Sequence, residues 1–127
     1  DVMLVVDRNP IMRSMFRTLM SPYAESVLCV GDAGEAIEAI ESRAPRVMLV
    51  DENMITGGAG RDIIGAGLRC GSAITLLCSS DRVDHTSPDM EAIQVIRKPV
   101  SGSTLVAAMF PVSVNRREQE QLVMRAA

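Results

Sequence analysis

The sequence predicts an α/β fold in which one parallel β-sheet is covered by helices on both faces. Three observations lead there. Short apolar runs alternate regularly with longer segments of helical periodicity, five of each along the chain. The apolar runs read as buried strands, as in sheets packed on both sides. The chain has 127 residues, 47% of them apolar, enough for one domain with a single sizeable core.

The elements follow in order. VMLVV (2–6) is the first strand. Pro10 suits a first helical turn, and Ile11, Met12, Met15, Phe16, Leu19 and Met20 recur at helical spacing until Ser21-Pro22 stops the helix. SVLCV (26–30) is the second strand. Asp32 is a helix N-cap with Glu35 in the capping-box position, and Ala36, Ile37 and Ile40 form the buried stripe behind it. The third strand starts at Val47 and ends on Asp51. A Gly-rich loop (52–60) and a helix over 61–69 follow, the latter carrying Ile63, Ile64 and Leu68. AITLLC (73–78) is the fourth strand and runs into Ser79. Residues 81–93 contain Pro88 and little apolar periodicity, so the helix there is expected to be short. Gln94–Ile96 is the fifth strand, and a last short helix runs over 103–110, stopped by Pro111. The domain is set at 1–111, and 112–127 is read as a polar helical tail or linker. The start at Asp1 and this tail favour a domain cut from a longer protein.

Composition removes several classes of function. The net charge is −3, with no basic stripe, and the aromatic residues are one Tyr and two Phe. Nucleic-acid binding by this domain is therefore not expected. Apolar runs of about five residues are far too short for a membrane span. The three cysteines, Cys29, Cys70 and Cys78, form no CxxC and read as small core thiols in a reducing cytoplasm. His85 is the only histidine, which argues against a His-based metal cluster or a catalytic histidine. Twelve arginines accompany a single lysine, Lys98, so the position of that one ammonium is informative.

Ligands of open α/β sheets bind beyond the carboxyl ends of the strands. With strand order 2-1-3-4-5, those ends bring Asp7, Arg8, Asp51, Ser79 and Lys98 to one crevice. Two carboxylates, a hydroxyl and an ammonium there suit chemistry on an anionic group.

The blocks LVVDRNPIMR, VMLVDENM, LLCSSD and VIRKPV together resemble the signature blocks of the CheY-like receiver domains of two-component response regulators and hybrid histidine kinases. The resemblance spans roughly residues 2–110 and implies a flavodoxin-like (βα)5 fold with a shortened fourth helix. It implies that Asp51 is a phosphoacceptor, Ser79 a switch hydroxyl and Lys98 a phosphoryl contact, with a cis Lys98–Pro99 bond. Asp7, Asp51 and the Asn53 backbone carbonyl would hold Mg²⁺. The partners implied are a histidine kinase or phosphotransfer domain, or neighbouring domains of the same chain.

The departures from that pattern are specific. Arg8 stands where a second acid is usual, which predicts weak or lost Mg²⁺ binding. Arg8 can turn to solvent, stabilise a transferring phosphoryl group, or pair with Asp7 or Asp51; the forecast is an ion pair where a metal would otherwise sit. Val95 replaces the aromatic switch residue, and the loop after the acceptor lacks its usual proline. These changes favour a pseudo-receiver over a functional phosphoacceptor. A phosphoaspartate hydrolase is disfavoured, because Asn53 stands where a second aspartate would be needed.

Overall fold

The computed structural model describes residues 1–56, 58–79 and 92–110. Five parallel strands, β1 (Val2–Val6), β2 (Ser26–Val30), β3 (Val47–Asp51), β4 (Ala73–Cys78) and β5 (Gln94–Arg97), form one sheet in the order β2-β1-β3-β4-β5. Four α-helices are described: α1 (Pro10–Met20), α2 (Ala33–Arg43), α3 (Gly58–Arg69) and α4 (Gly102–Met109). The predicted architecture and strand order are those observed. The short helix expected within 81–93 lies almost wholly outside the described residues, and the 112–127 tail lies entirely outside them.

Side-chain alternation along the strands divides the core in two. Leu4, Val6, Met48, Val50, Ile74 and Leu76 face α2 and α3, where Ala36, Ile40, Ile63 and Ile64 meet them. Met3, Val5, Leu49 and Leu77 face the other way, onto Phe16, Met20, Leu105, Val106 and Met109 of α1 and α4. On α1 the apolar set is wider than the buried face. Phe16 and Met20 are buried, whereas Ile11 and Met15 are exposed and line a shallow surface groove with Pro10, Ser14, Thr18 and Leu19.

Local chemistry sets the helix ends. The Asn9 side chain accepts from the Ile11 N–H at 2.9 Å, with Pro10 in the first turn. Asp32 accepts from the Glu35 N–H at 2.8 Å, the half of the predicted capping box that the side chain of Asp32 supplies. Ala44 ends α2 in the left-handed region (φ 42°), a position that glycine usually fills.

The stretch after β3 differs from the expected loop over 52–60. A single 3₁₀ turn (Glu52–Met54) leads into a helix that starts at Gly58, three residues before the predicted start. Gly60 makes this possible. A Cβ there would lie 2.2–2.4 Å from the backbone of Ile55, so only glycine lets the helix start against that strand-end turn. The glycines in this segment look like loop flexibility by composition, but Gly60 serves close backbone approach.

Candidate functional site at the strand ends

The register of the sheet gathers the predicted residues. Val6 pairs with Val50, so Asp7 and Asp51 follow on neighbouring strands. Asp51 pairs with Leu77, which puts Glu52 beside the end of β4, where Ser79 begins the next turn. Cys78 pairs with Arg97, and the Lys98 N–H donates to the Cys78 carbonyl at 2.8 Å, which brings Lys98 alongside.

Both aspartates are buried, Asp7 at 5% and Asp51 at 4% exposure. Each is anchored in the same way. Asp7 Oδ1 accepts the Asn9 N–H at 2.9 Å, and Asp51 Oδ2 accepts the Asn53 N–H at 3.0 Å. A carboxylate tied to the N–H two residues on is a local turn motif that fixes the side chain from its own loop. The other Asp51 oxygen, Oδ1, takes Lys98 Nζ at 2.5 Å.

The electrostatics follow from that arrangement. Burial raises the pKa of Asp7 above the ordinary carboxylate value. The Asn9 N–H opposes this, the Asp51 charge adds to it, and Lys98 and Arg13 relieve it in part. For Lys98, burial works against the charge. The hydrogen bond and charge of Asp51, then the charges of Asp7 and Glu52, outweigh it and lift the ammonium above the usual lysine value.

Arg8 does not take the place forecast for it. Its side chain is exposed and makes no ion pair among the described residues; the cation against Asp51 is Lys98. Two physical reasons apply. Lys98 already occupies the available Asp51 oxygen, so a second cation there would meet like charge. A guanidinium also loses hydration on entering the site. The Arg8 backbone is nevertheless held, because Arg13 Nη1 donates to the carbonyls of Asp7 at 2.7 Å and Arg8 at 3.0 Å.

Ser79 is exposed at the end of β4, and its hydroxyl and N–H both donate to Glu52 Oε1, the N–H at 2.9 Å. Asn53 is exposed, and its backbone carbonyl accepts the Thr56 hydroxyl at 3.1 Å. Val95 is half-buried against the α2/α3 side of the core. The Lys98–Pro99 peptide bond is cis.

Sequence reasoning missed two residues of this region. Glu52 was legible only as the neighbour of Asp51; its partnership with Ser79 needs β3 and β4 side by side. Arg13 lies one helical turn past Asn9, and its clasp depends on how α1 leaves the sheet. The cysteines divide less uniformly than expected: Cys78 is buried, Cys29 half-buried and Cys70 exposed, and all three are free thiols.

The resident side chains fit a hard dication poorly. Such a cation needs several oxygen ligands, and among the described residues no three acidic, histidine or cysteine side chains come together to supply them. One oxygen of each aspartate is committed to a backbone N–H, the second Asp51 oxygen to Lys98, and the position after Asp7 is an exposed arginine.

No protein-family model matches the chain, and no curated protein matches it by sequence. Solved structures do match. A response regulator receiver domain protein from Clostridium thermocellum superposes with TM-score 0.73 at 21% identity, covering 93% of this chain and 97% of its own. A CheY-like receiver domain protein from Methanospirillum hungatei gives TM-score 0.71 at 22% identity, with 92% and 97% covered. A response regulator receiver modulated diguanylate cyclase from Pelobacter carbinolicus gives TM-score 0.67 at 18% identity, with 97% of each covered. The chain therefore has the receiver-domain fold, the flavodoxin-like arrangement that the signature blocks imply. Among the described residues no helix is long and apolar enough to cross a membrane.

Proposed function

We propose that this chain is a receiver-like regulatory domain of two-component signal transduction, a pseudo-receiver whose output comes from docking rather than from metal-assisted phosphorylation. The observation that carries this reading is the state of the Asp51 carboxylate. It is buried, one oxygen is bound by the Asn53 N–H, and the other is held by Lys98. With Arg8 in place of the second acid, Mg²⁺ binds weakly at best. Asp51 is then an acceptor by position whose charge is neutralised internally. Val95 in place of an aromatic residue supports the same reading, because the usual coupling between the switch hydroxyl and a moving ring has no ring to move.

The domain works in the cytoplasm, as part of a hybrid histidine kinase or a multidomain regulator. Its partners are a histidine kinase or phosphotransfer domain, or neighbouring domains of its own chain. The Pelobacter carbinolicus neighbour, by its name a receiver-modulated cyclase, illustrates such an arrangement. The domain is not itself an enzyme; at most it accepts a phosphoryl group on Asp51.

A second reading has its own support: Asp51, Lys98 and Ser79 lie at the ends of adjacent strands, as a phosphoacceptor site requires. In that case an Asp51 oxygen attacks the phosphorus of a phosphohistidine or acyl phosphate. The bond to the donor breaks, the leaving group takes the electron pair, and Lys98 balances charge on the transferred group.

Intact-mass measurement after acetyl phosphate and Mg²⁺ treatment separates the two. The pseudo-receiver reading expects no adduct, and an adduct of about 80 Da restored by Arg8→Asp. An equal adduct on the unsubstituted chain, lost in Asp51→Asn, establishes the functional phosphoacceptor instead.

A further inference from the structure

Glu52 forms a contact that the reading above does not use. Its Oε1 accepts both the N–H and the hydroxyl of Ser79. These are two donors at the mouth of the crevice that holds Asp51, and a hydroxyl has only one proton to give. An anion bound on Asp51 could draw on Lys98 Nζ and on the two donors of Ser79. Lys98 is in position, but both Ser79 donors point at a carboxylate of the same chain. The charge of Glu52 also acts on Lys98, so the carboxylate shares the field of the crevice.

We propose that Glu52 is a built-in anionic gate: its carboxylate occupies the donors of Ser79 and must leave before the crevice can accept a phosphoryl-like anion at Asp51. The proposal rests on the reading that Asp51 and Lys98 form an acceptor-type pocket, and it adds a specific reason why that pocket is closed. Two effects act together. The carboxylate competes directly for the Ser79 donors, through charge-assisted bonds that a neutral side chain cannot match. It also repels an incoming anion through space. The gate is independent of Arg8, which is exposed, so Glu52 raises the anion concentration needed whatever residue stands at position 8. Sequence adjacency explains how one short turn serves both functions. Asp51 ends β3 facing Lys98, and Glu52 opens the 3₁₀ turn facing the end of β4.

The test is a titration of the ¹⁵N-labelled 127-residue chain with beryllofluoride, a phosphoryl stand-in, with magnesium in every sample, followed through the backbone amides. Before any addition, Glu52→Ala should shift the Ser79 amide proton upfield as its carboxylate acceptor is lost. An unmoved Ser79 amide overturns the contact. On titration, Glu52→Ala should respond at a concentration at least tenfold lower than the unsubstituted chain. Glu52→Gln, which keeps the volume and removes the charge, should fall between the two. Adding Lys98→Met to Glu52→Ala should abolish the response; a response that survives places the anion elsewhere and overturns the proposal. Equal midpoints for the unsubstituted chain, Glu52→Gln and Glu52→Ala overturn the gate while leaving the anion pocket standing. Silence in all of them, with circular dichroism showing folded protein, overturns the pocket and the gate together.

Discussion

Lys98 Nζ lies 2.5 Å from Asp51 Oδ1, joining the only lysine of the chain to the buried acid at the end of β3. The two residues are 47 positions apart. Asp51 is almost fully enclosed, while the Lys98 side chain keeps 34% exposure. Removing the partner of a buried charge is costly, but water can partly replace an ammonium this exposed. Lys98→Met should therefore lower stability by about 1–3 kcal/mol at neutral pH. In a double-mutant cycle with Asp51→Asn the two substitutions should be non-additive, since they share one interaction. The pH dependence has a definite sign. The folded pKa of Lys98 is raised, so its contribution is complete below the ordinary lysine pKa and is lost as the pH climbs through the raised value. Denaturant melts of the unsubstituted chain and Lys98→Met should converge in strongly alkaline solution. A gap that persists there would assign the loss to packing.

Asp7 behaves in the opposite sense to a stabilising ion pair. Its folded pKa is raised, chiefly by burial, so its charged form is disfavoured in the fold. The associated stability is fully present below the unfolded aspartate pKa, about 3.9, and is lost as pH rises through the higher folded value. At neutral pH the charged Asp7 thus weakens the domain. Asp7→Asn keeps an acceptor for the Asn9 N–H and should raise Tm at pH 7, with the gain shrinking toward zero as pH falls below about 4. Thermal melts across this range check it. A gain independent of pH would mean that ionisation is not the cause.

Gly58 and Gly60 form a matched pair in the first turn of α3. A Cβ at Gly58 meets nothing within 4 Å, while one at Gly60 runs into the Ile55 backbone. Gly58→Ala should be neutral or stabilise the domain by up to about 1 kcal/mol, through lower entropy of the unfolded chain. Gly60→Ala should destabilise it by about 1–3 kcal/mol, since backbone cannot yield as a side chain can. Urea midpoints for the two variants should move in opposite directions or differ by at least about 1 kcal/mol. Equal midpoints would show that the turn can reopen.

Arg13 and Arg8 should also part company. Arg13 holds the carbonyls of Asp7 and Arg8, whereas the Arg8 side chain is in solvent. Arg13→Ala should cost about 1–2 kcal/mol, in the range for two hydrogen bonds from a charged donor. Arg8→Ala should stay within about 0.5 kcal/mol. A large loss for Arg8→Ala, measured by the same melts, would reveal a role for that guanidinium beyond its exposed position.

How much of this was legible in advance depends on the range over which each feature is decided. The strands and the N-cap at Asp32 follow from local apolar periodicity and capping chemistry, and the order of the sheet is what the resemblance of the signature blocks to receiver domains implies. The convergence of Asp7, Asp51, Ser79 and Lys98 at one end was equally legible, because strand ends in a parallel sheet share a side. The start of α3 was misplaced by three residues, because composition does not show that Gly60 packs against Ile55.

The sequence by itself determined which charged groups reach the crevice; their pairing was decided by the tertiary structure. Arg8 was the obvious counter-ion by adjacency, yet Lys98 reaches Asp51 from the far strand end, Arg13 holds the backbone of the β1 turn, and Glu52 takes Ser79. Pairing is a competition among hydration, distance and the direction in which each side chain leaves its turn. Those quantities exist only once β1, β3, β4 and β5 lie side by side.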